Sequence, residues 1–266
     1  MSVLTICAVA NEDVPRSALE ALAAARHLAD ALGGEKVQVL LTGSGVTDHG
    51  ASLIEWGADE VLVVDDGRLE TLDGELVLAV VEKAVEEATP DIVIFPHTDL
   101  SGGHVAPRLP RRLETGIVTD CTGFGVEGEV IHWVRPVYGG KAMAVMTVSG
   151  PIQLATMRSL AFEPLEADES REGEMRELGF DLDGVTVEVP IVDTIVQEEA
   201  FERPSLALLK KGHSPRPRGE YRAKSDALGD FIPIGRSLKN QSGALSPGLL
   251  SIHRFFQGSQ AWIART

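Results

Sequence analysis

The sequence predicts an α/β fold with a mostly parallel sheet, helices on both of its faces, and antiparallel strands added late in the chain. Three observations support this fold class. Short aliphatic runs alternate with amphipathic helical patterns four times before residue 96, which is the order of a parallel sheet with right-handed crossovers. After residue 112, strand-like runs follow one another without helices between them. The core must also be aliphatic, because 44% of the residues are hydrophobic and only 5% are aromatic.

The first half of the chain supplies the predicted parallel strands and their helices. Apolar runs predict strands at residues 3–9, 37–41, 61–64 and 92–95. Asp13 and Pro15 provide helix-start chemistry, and apolar residues then repeat at intervals of three and four until Gly33. A short helix is expected at 46–56. A longer helix is expected before residue 92, with Asp73 as its N-cap.

The second half predicts strands at 117–124, 130–135, 142–148 and 153–156, which we expect to be antiparallel and to extend or cap the parallel sheet. Gly125 with Gly128, and Gly139 with Gly140, indicate hairpin turns between them. Residues 164–184 are rich in Glu, Asp and Gly and are expected to form an exposed loop. Residues 185–196 are expected to form a further strand.

Charge and apolar run lengths exclude several classes of protein. The net charge of −16 argues against a nucleic-acid partner, because phosphate backbones require a basic surface. The apolar runs are too short for membrane insertion, and we expect a cytoplasmic protein. Residues 201–266 hold eleven basic and four acidic residues, or +7, while the preceding residues hold 13 and 36, or −23. This asymmetry indicates two segments of different origin or role.

Cys7 and Cys121 are expected to be buried hydrophobic residues.

Five short motifs occur in order between residues 96 and 158. They are Pro96-His97-Thr98, Pro107-Arg108-Leu109, Thr115-Gly116 with Asp120, Arg135-Pro136-Val137-Tyr138-Gly139-Gly140, and Thr156-Met157-Arg158. Together they resemble the amino-terminal domain of an electron transfer flavoprotein alpha subunit, the family whose nitrogen-fixation branch is called FixB. The resemblance covers residues 1–200 and implies a Rossmann-like sheet.

The resemblance also implies a heterodimer with an electron transfer flavoprotein beta subunit. In this family FAD carries electrons from acyl-CoA dehydrogenases of fatty acid β-oxidation, or from other dehydrogenases, to a quinone reductase or a similar acceptor. The domain at 1–200 would supply docking and electrostatics rather than bond-making side chains. FAD is held in the family mainly by a carboxy-terminal domain that contains Gly-Gly-Arg-Gly and Gln-Thr-Gly-Lys segments.

Residues 201–266 lack those FAD-binding segments. The segments most similar to them are residues 216–219, where proline replaces the conformationally permissive glycine, and residues 241–243. We interpret 201–266 as a basic, poorly ordered tail that is a remnant or a replacement of the FAD domain, arising from truncation or from a shifted reading frame. No residue of this chain is therefore assigned to catalysis, to cofactor binding or to a metal.

The polar residues of the motif region have alternative roles. His97 and Thr98 follow a predicted strand where ligands bind in open sheets, but structural loop hydrogen bonding is favoured for them over a ligand site. His97, Asp99 and His104 do not have a recognised metal-ligand spacing. The arginines at 108, 111 and 112 form either a phosphate clamp or, by preference, surface ion pairs. Pro110 predicts that their helix is kinked or short.

Two further groups of polar residues lie at predicted strand ends. Arg135, Tyr138 and Arg158 either hold core carboxylates or reach an interface, and the sequence does not decide between these roles. Asp65 and Asp66 resemble a ribose-binding acid, but residues 10–13 are Ala-Asn-Glu-Asp rather than a glycine-rich turn, which rejects a conventional NAD site.

Three functions remain open at this point. The first is an electron transfer flavoprotein alpha-like subunit, and the second is a truncated interaction domain without flavin. The third is an adenine-nucleotide-binding α/β protein, which is least favoured because the glycines of a phosphate-binding loop are missing.

Overall fold

The computed structural model describes residues 1–10 and 13–187. Ten strands are present in these residues: β1 (Ser2–Val9), β2 (Lys36–Gly43), β3 (Glu60–Asp65), β4 (Ile92–Pro96), β5 (Ile117–Cys121), β6 (Gly123–Glu127), β7 (Val130–Val137), β8 (Ala142–Met146), β9 (Gln153–Met157) and β10 (Glu174–Glu177). The α-helices of the same residues are α1 (Arg16–Ala31), α2 (His49–Glu55), α3 (Gly74–Ala88) and α4 (Leu109–Arg112).

Seven strands form one sheet in the order β10-β3-β2-β1-β4-β9-β5, and every pairing in it is parallel. The other three form a small antiparallel sheet in the order β6-β7-β8. Residues of α1 and α2 share one buried cluster with the sheet, and residues of α3 share a second. Helices thus cover both faces, and the predicted α/β fold class is confirmed.

Local chemistry explains where the helices begin. The Asp73 carboxylate accepts a hydrogen bond from the Glu75 backbone N–H at 2.9 Å, so Asp73 caps α3 as predicted. The helix after β4 is irregular, with a π-helical segment at Asp99–Val105, a 3-10 turn at Ala106–Arg108 and then the short α4. Proline lies in the first turn of both later segments and cannot donate a backbone hydrogen bond, which fits the predicted short or kinked helix.

The prediction for residues 117–156 was partly wrong. The single strand expected at 117–124 is two strands, because Asp120 has a left-handed φ of 62° and the register with β9 shifts between Val118 and Cys121. The chain then leaves the large sheet and starts the small one. Only β6, β7 and β8 are antiparallel, whereas β9 returns to the large sheet and pairs in parallel with β4 and β5.

The acidic segment expected to be a loop contains β10, which pairs in parallel with β3 at the edge of the large sheet. All four of its residues are exposed, so the segment lacks the alternation of buried apolar and exposed polar residues that would predict a strand. Residues 185–187 are not in a strand, and the rest of the strand expected at 185–196 lies outside the described residues. The tail expected at 201–266 also lies outside them.

Aromatic packing joins the small sheet to the large one. Trp133 is fully buried and packs edge-on against Phe124, with the ring centroids 6.1 Å apart. Phe124 in turn stacks on Phe162 at 5.8 Å. The Trp133 indole N–H donates to the Gln153 side-chain oxygen on β9 at 3.3 Å. Among the described residues, no helix is long and apolar enough to cross a membrane.

Candidate functional site: the carboxyl edge of the sheet

Four polar residues from the motif region lie at the carboxyl ends of β4, β9 and β5, where open α/β sheets bind their ligands. We name this group the edge cluster: His97, Asp120, Thr156 and Arg158. The cluster is connected by hydrogen bonds and is centred on the Thr156 hydroxyl. This oxygen lies 2.8 Å from His97 Nδ1 and accepts a hydrogen bond from the Asp120 backbone N–H at 2.8 Å.

The Thr156 hydroxyl is the hydrogen-bond partner of His97 Nδ1. Thr156 is completely buried, and its oxygen already accepts from Asp120. A buried hydroxyl also needs an acceptor for its own proton, and His97 Nδ1 is at hydrogen-bonding distance. One buried hydroxyl therefore holds both the His97 ring and the Asp120 backbone.

Asp120 and Arg158 form a bidentate pair across the ends of β5 and β9. Arg158 Nε donates to one carboxylate oxygen at 2.7 Å and Nη2 donates to the other at 2.6 Å. These hydrogen bonds hold the pKa of the Asp120 carboxyl below its usual range. The Arg158 backbone N–H also donates to the Cys121 carbonyl at 2.8 Å. Side-chain and backbone bonds therefore hold both strand ends in one geometry.

Arg135 and Tyr138 take different places at the end of β7. Arg135 Nη1 donates to the Thr119 hydroxyl at 3.1 Å, and the same guanidinium contributes to lowering the pKa of Asp120. Tyr138 lies in the turn that follows and is 82% exposed, with a left-handed φ of 53°. Of the two roles open for these residues, Arg158 holds a carboxylate, whereas Tyr138 packs against no core and remains a candidate interface residue.

A small cleft opens beside the edge cluster at the topological switch point between β1 and β4. Its volume is about 210 Å³ and its polar lining includes Asp13, Ser17, Thr98 and Ser101. Thr98 is engaged in helix capping, since its hydroxyl accepts from the Ser101 backbone N–H at 3.2 Å. Small-molecule sites usually enclose about 300 Å³ or more. The cleft is therefore small for an adenine nucleotide.

The histidines near this cleft do not form a metal site with Asp99. Among residues 1–10 and 13–187, no three His, Cys, Asp or Glu side chains come close enough to hold a metal ion. His97 uses Nδ1 for Thr156, and the His104 ring packs beside Gly74 on α3 instead. The contacts of His97 and Thr98 are those of a structural loop.

Two of the three arginines of the irregular helix, Arg108 and Arg112, pair with carboxylates of α3. Arg108 forms a bidentate pair with Glu75 in which both distances are 2.8 Å, and its hydrogen bonds lower the pKa of that carboxyl. Arg112 lies 2.5 Å from a carboxylate oxygen of Glu82. A phosphate clamp would have to compete with these ion pairs. The geometry is that of the surface ion pairs the sequence favoured.

Asp65 fills a ring of backbone donors that could otherwise hold a phosphate. Its carboxylate accepts from the N–H groups of Gly45, Val46 and Thr47 at 2.6, 2.8 and 3.0 Å, and from the Thr47 hydroxyl at 2.7 Å. Burial raises the pKa of Asp65, but these hydrogen bonds outweigh it and lower the pKa overall. Asp66 caps the next turn and pairs with Arg68, whose hydrogen bonds lower the pKa of Asp66 to about 2. Neither aspartate is placed as a ribose ligand.

The described residues do not fit a complete FAD site. The consecutive backbone N–H groups of residues 45–47, which could bind a pyrophosphate, already donate to the Asp65 carboxylate. The cleft at the switch point has a volume of only about 210 Å³. The sequence echoes at 216–219 and 241–243 lie outside the described residues.

Both cysteines are free and buried, as expected. Burial raises the pKa of each thiol to about 12, so neither is available as a thiolate near neutral pH.

Sequence reasoning quoted Asp120, Thr156 and Arg158 as motif residues but did not pair them. Residue spacing could not show the contact, because Asp120 and Arg158 are 38 positions apart and meet only through the β5–β9 pairing. The signal available in the sequence was indirect: Asp120 lies within one predicted strand and Arg158 lies just after another.

Comparison with known proteins agrees with this geometry. Residues 3–211 match the model of the electron transfer flavoprotein domain. The chain belongs to the electron transfer flavoprotein alpha (FixB) family. The electron transfer flavoprotein subunit alpha of Bacillus subtilis (strain 168) is 31% identical over 196 residues, which are 74% of this chain and 57% of that protein. The family resemblance read from the five motifs is thus confirmed.

Two other relatives in the electron transfer flavoprotein family cover less of the chain. Megasphaera elsdenii subunit alpha is 35% identical over 59% of this chain and 47% of its own length. Protein FixB of Clostridium saccharobutylicum is 36% identical over the same two shares, 59% and 47%. The chain thus spans about half the length of these curated relatives.

Proposed function

We propose that this chain acts as the alpha-like component of an electron transfer flavoprotein and pairs with a beta subunit. The observation that carries the proposal is the edge cluster, because residues from three of the five family motifs meet there in one hydrogen-bonded group. They occur in a domain that belongs to the family over residues 3–211.

The contribution of the domain would be positioning and docking. Within the edge cluster, Thr156 holds His97 and the Asp120 backbone, while Arg158 holds the Asp120 side chain. These contacts fix the loops after β4, β5 and β9 at one edge of the sheet. FAD would supply the electron-carrying chemistry in the complex, bound mainly by groups outside the described domain. Acyl-CoA dehydrogenases or other dehydrogenases as donors, a quinone reductase as acceptor and a cytoplasmic location complete the proposal.

A second candidate is a pairing domain that holds no flavin. It is favoured by Asp65, whose carboxylate occupies the backbone donors of residues 45–47 that could otherwise bind a phosphate. The adenine-nucleotide hypothesis is weaker, because the switch-point cleft is only about 210 Å³.

The test is co-expression of the full chain with the beta subunit of the same organism, followed by gel filtration and a visible absorption spectrum. A co-eluting pair with stoichiometric flavin bands supports the electron-carrying function. A stable pair that stays colourless after FAD is added supports the pairing domain without flavin. Failure to form any complex contradicts both functions. Thermal protection of the chain alone by AMP or ATP would instead favour nucleotide binding.

A further inference from the structure

The cleft at the switch point between β1 and β4 combines an apolar lining with a small set of polar groups. Leu72 and Leu100 contribute to the apolar lining, and Ser17, Thr98 and Ser101 contribute hydroxyl groups. Its volume of about 210 Å³ equals the space of roughly seven water molecules at about 30 Å³ each. The cleft is therefore large enough for a compound of several non-hydrogen atoms.

Ser101 carries an unpaired hydroxyl at this cleft. The residue is only 3% exposed, and its backbone N–H donates to the Thr98 hydroxyl at 3.2 Å. Its own hydroxyl makes no hydrogen bond to any residue in the ranges 1–10 and 13–187. The oxygen is not among the fully buried, unpaired atoms of those residues, so it still meets solvent, and the space that Ser101 lines is the cleft. Because buried polar groups are normally paired, this hydroxyl indicates a partner that enters the cleft.

The amino-terminal end of α1 meets the same cleft, which is lined by Pro15 and Ser17. Helix α1 has 16 residues, its N-cap Pro15 forms no side-chain cap, and its first turn contains no acidic residue. The backbone N–H groups of Arg16 and Ser17 have no hydrogen-bond acceptor among the described residues, whereas that of Ala18 donates to the Pro15 carbonyl at 2.9 Å. Free N–H groups and the helix dipole favour a negatively charged group at this end.

We propose that this cleft binds a short monocarboxylate. The carboxylate would accept hydrogen bonds from the free N–H groups of α1 and from the hydroxyls of Thr98 and Ser101. The Thr98 oxygen accepts from the Ser101 backbone, which leaves its own proton available for donation. The hydrocarbon part of the ligand packs against Leu72 and Leu100.

Charge selects a monoanion over a phosphate compound. Among the described residues that line the cleft there is no lysine and no arginine, and the exposed Asp13 adds a negative charge. Phosphate groups carry nearly two negative charges near neutral pH and are usually held by such cations. A single carboxylate meets less repulsion from Asp13. This site needs no second subunit, so it goes beyond the pairing function proposed above.

The test titrates the full chain alone with sodium acetate, sodium butyrate and inorganic phosphate at constant ionic strength, with binding followed by calorimetry. We expect butyrate to bind saturably and at least about fivefold more tightly than phosphate. Ser101→Ala removes one hydrogen bond to the carboxylate and should weaken butyrate binding about tenfold. The control is Ser52→Ala, an exposed serine on α2 outside the cleft, which should bind within about twofold of the parent.

A second variant separates ligand binding from folding. Ser17→Glu places a carboxylate in the first turn of α1, where it favours the helix but repels an anionic ligand. We expect it to weaken butyrate binding at least about tenfold without lowering the melting temperature of the chain. If Ser101→Ala melts early, this variant decides the question. Asp13→Asn removes a like charge and should tighten butyrate binding about threefold.

Three results would overturn the proposal. The first is that neither acetate nor butyrate binds the parent chain saturably. The second is that phosphate binds as tightly as butyrate, which would make the cleft a general anion site rather than a monocarboxylate site. The third is that butyrate binds parent, Ser101→Ala and Ser17→Glu equally, which would place its site elsewhere. Each leaves the proposed pairing standing, because no second subunit is present in the experiment.

Discussion

The Asp120–Arg158 pair is the contact of the edge cluster whose contribution to stability can be tested most directly. Replacing Asp120 by Asn removes the charge and one of the two acceptor oxygens facing Arg158, while Asn tolerates the left-handed φ of 62°. The backbone N–H bond to Thr156 is retained, so the substitution isolates the carboxylate.

The magnitude follows from two charge-assisted hydrogen bonds that are partly exposed to water. Such bonds contribute roughly 1.5–3 kcal/mol each when they are shielded. The Arg158 side chain is 46% exposed and that of Asp120 is 22% exposed, and surface pairs are worth about 1 kcal/mol or less. We therefore expect Asp120→Asn to lower the free energy of unfolding by about 1–1.5 kcal/mol, or the melting temperature by about 2–6 °C.

The assay is urea denaturation of the full chain at several pH values, with Asp30→Asn as control. The Asp30 side chain is 61% exposed and pairs with Arg26 one turn away, so the control should change the midpoint little. The folded-state pKa of Asp120 lies below that of the unfolded chain, which is about 3.9. The stabilisation is therefore complete above about pH 5 and is lost as the pH falls from there through the folded-state pKa. A difference between parent and variant that persists unchanged in acid would refute the role of the carboxylate charge.

Three other perturbations test the packing around the site, each by urea or thermal denaturation. Asp65→Ala leaves three backbone N–H groups and the Thr47 hydroxyl without their acceptor, and should cost about 1–3 kcal/mol; no loss would mean that water replaces the carboxylate freely. Trp133→Ala empties a fully buried site and should cost about 3–5 kcal/mol, with a smaller loss showing that the small sheet collapses into the space. Thr156→Val keeps the shape but leaves His97 Nδ1 and the Asp120 N–H unpaired, and should cost about 1–3 kcal/mol, whereas Thr156→Ser should retain most of the stability.

The first half of the fold could be predicted well because its strands are fully buried and its helices amphipathic. The runs predicted at 3–9, 37–41, 61–64 and 92–95 all lie inside observed strands. The second half was predicted less well because the sequence pattern of a strand does not show which sheet the strand joins. The break between β5 and β6 depends on the positive φ of Asp120, and nothing in the local pattern separates it from a continuous strand.

The residues of the candidate site were quoted from the sequence as family motifs, but none was assigned to a site and their geometry was not predicted. Motif order named the members of the edge cluster and their family, and that part needed no coordinates. The contacts among these side chains depend on the strand order β4-β9-β5, in which β9 lies between two strands that precede it in the chain. Residues 97, 120 and 156 meet only after that insertion.

The sequence by itself determined the α/β class, the family and the aliphatic core, because these depend on periodicity, composition and short motifs that are local in the chain. Only the tertiary structure decided that Arg158 holds Asp120, that Asp65 fills the backbone donors of residues 45–47, and that β8 leaves an apolar edge open. These features depend on contacts between residues 18 to 38 positions apart, or on which strand lies at the end of a sheet. The physical reason is that hydrogen bonds and exposure are set by neighbours in space, and strand order is chosen by burial of the whole sheet rather than by any one segment.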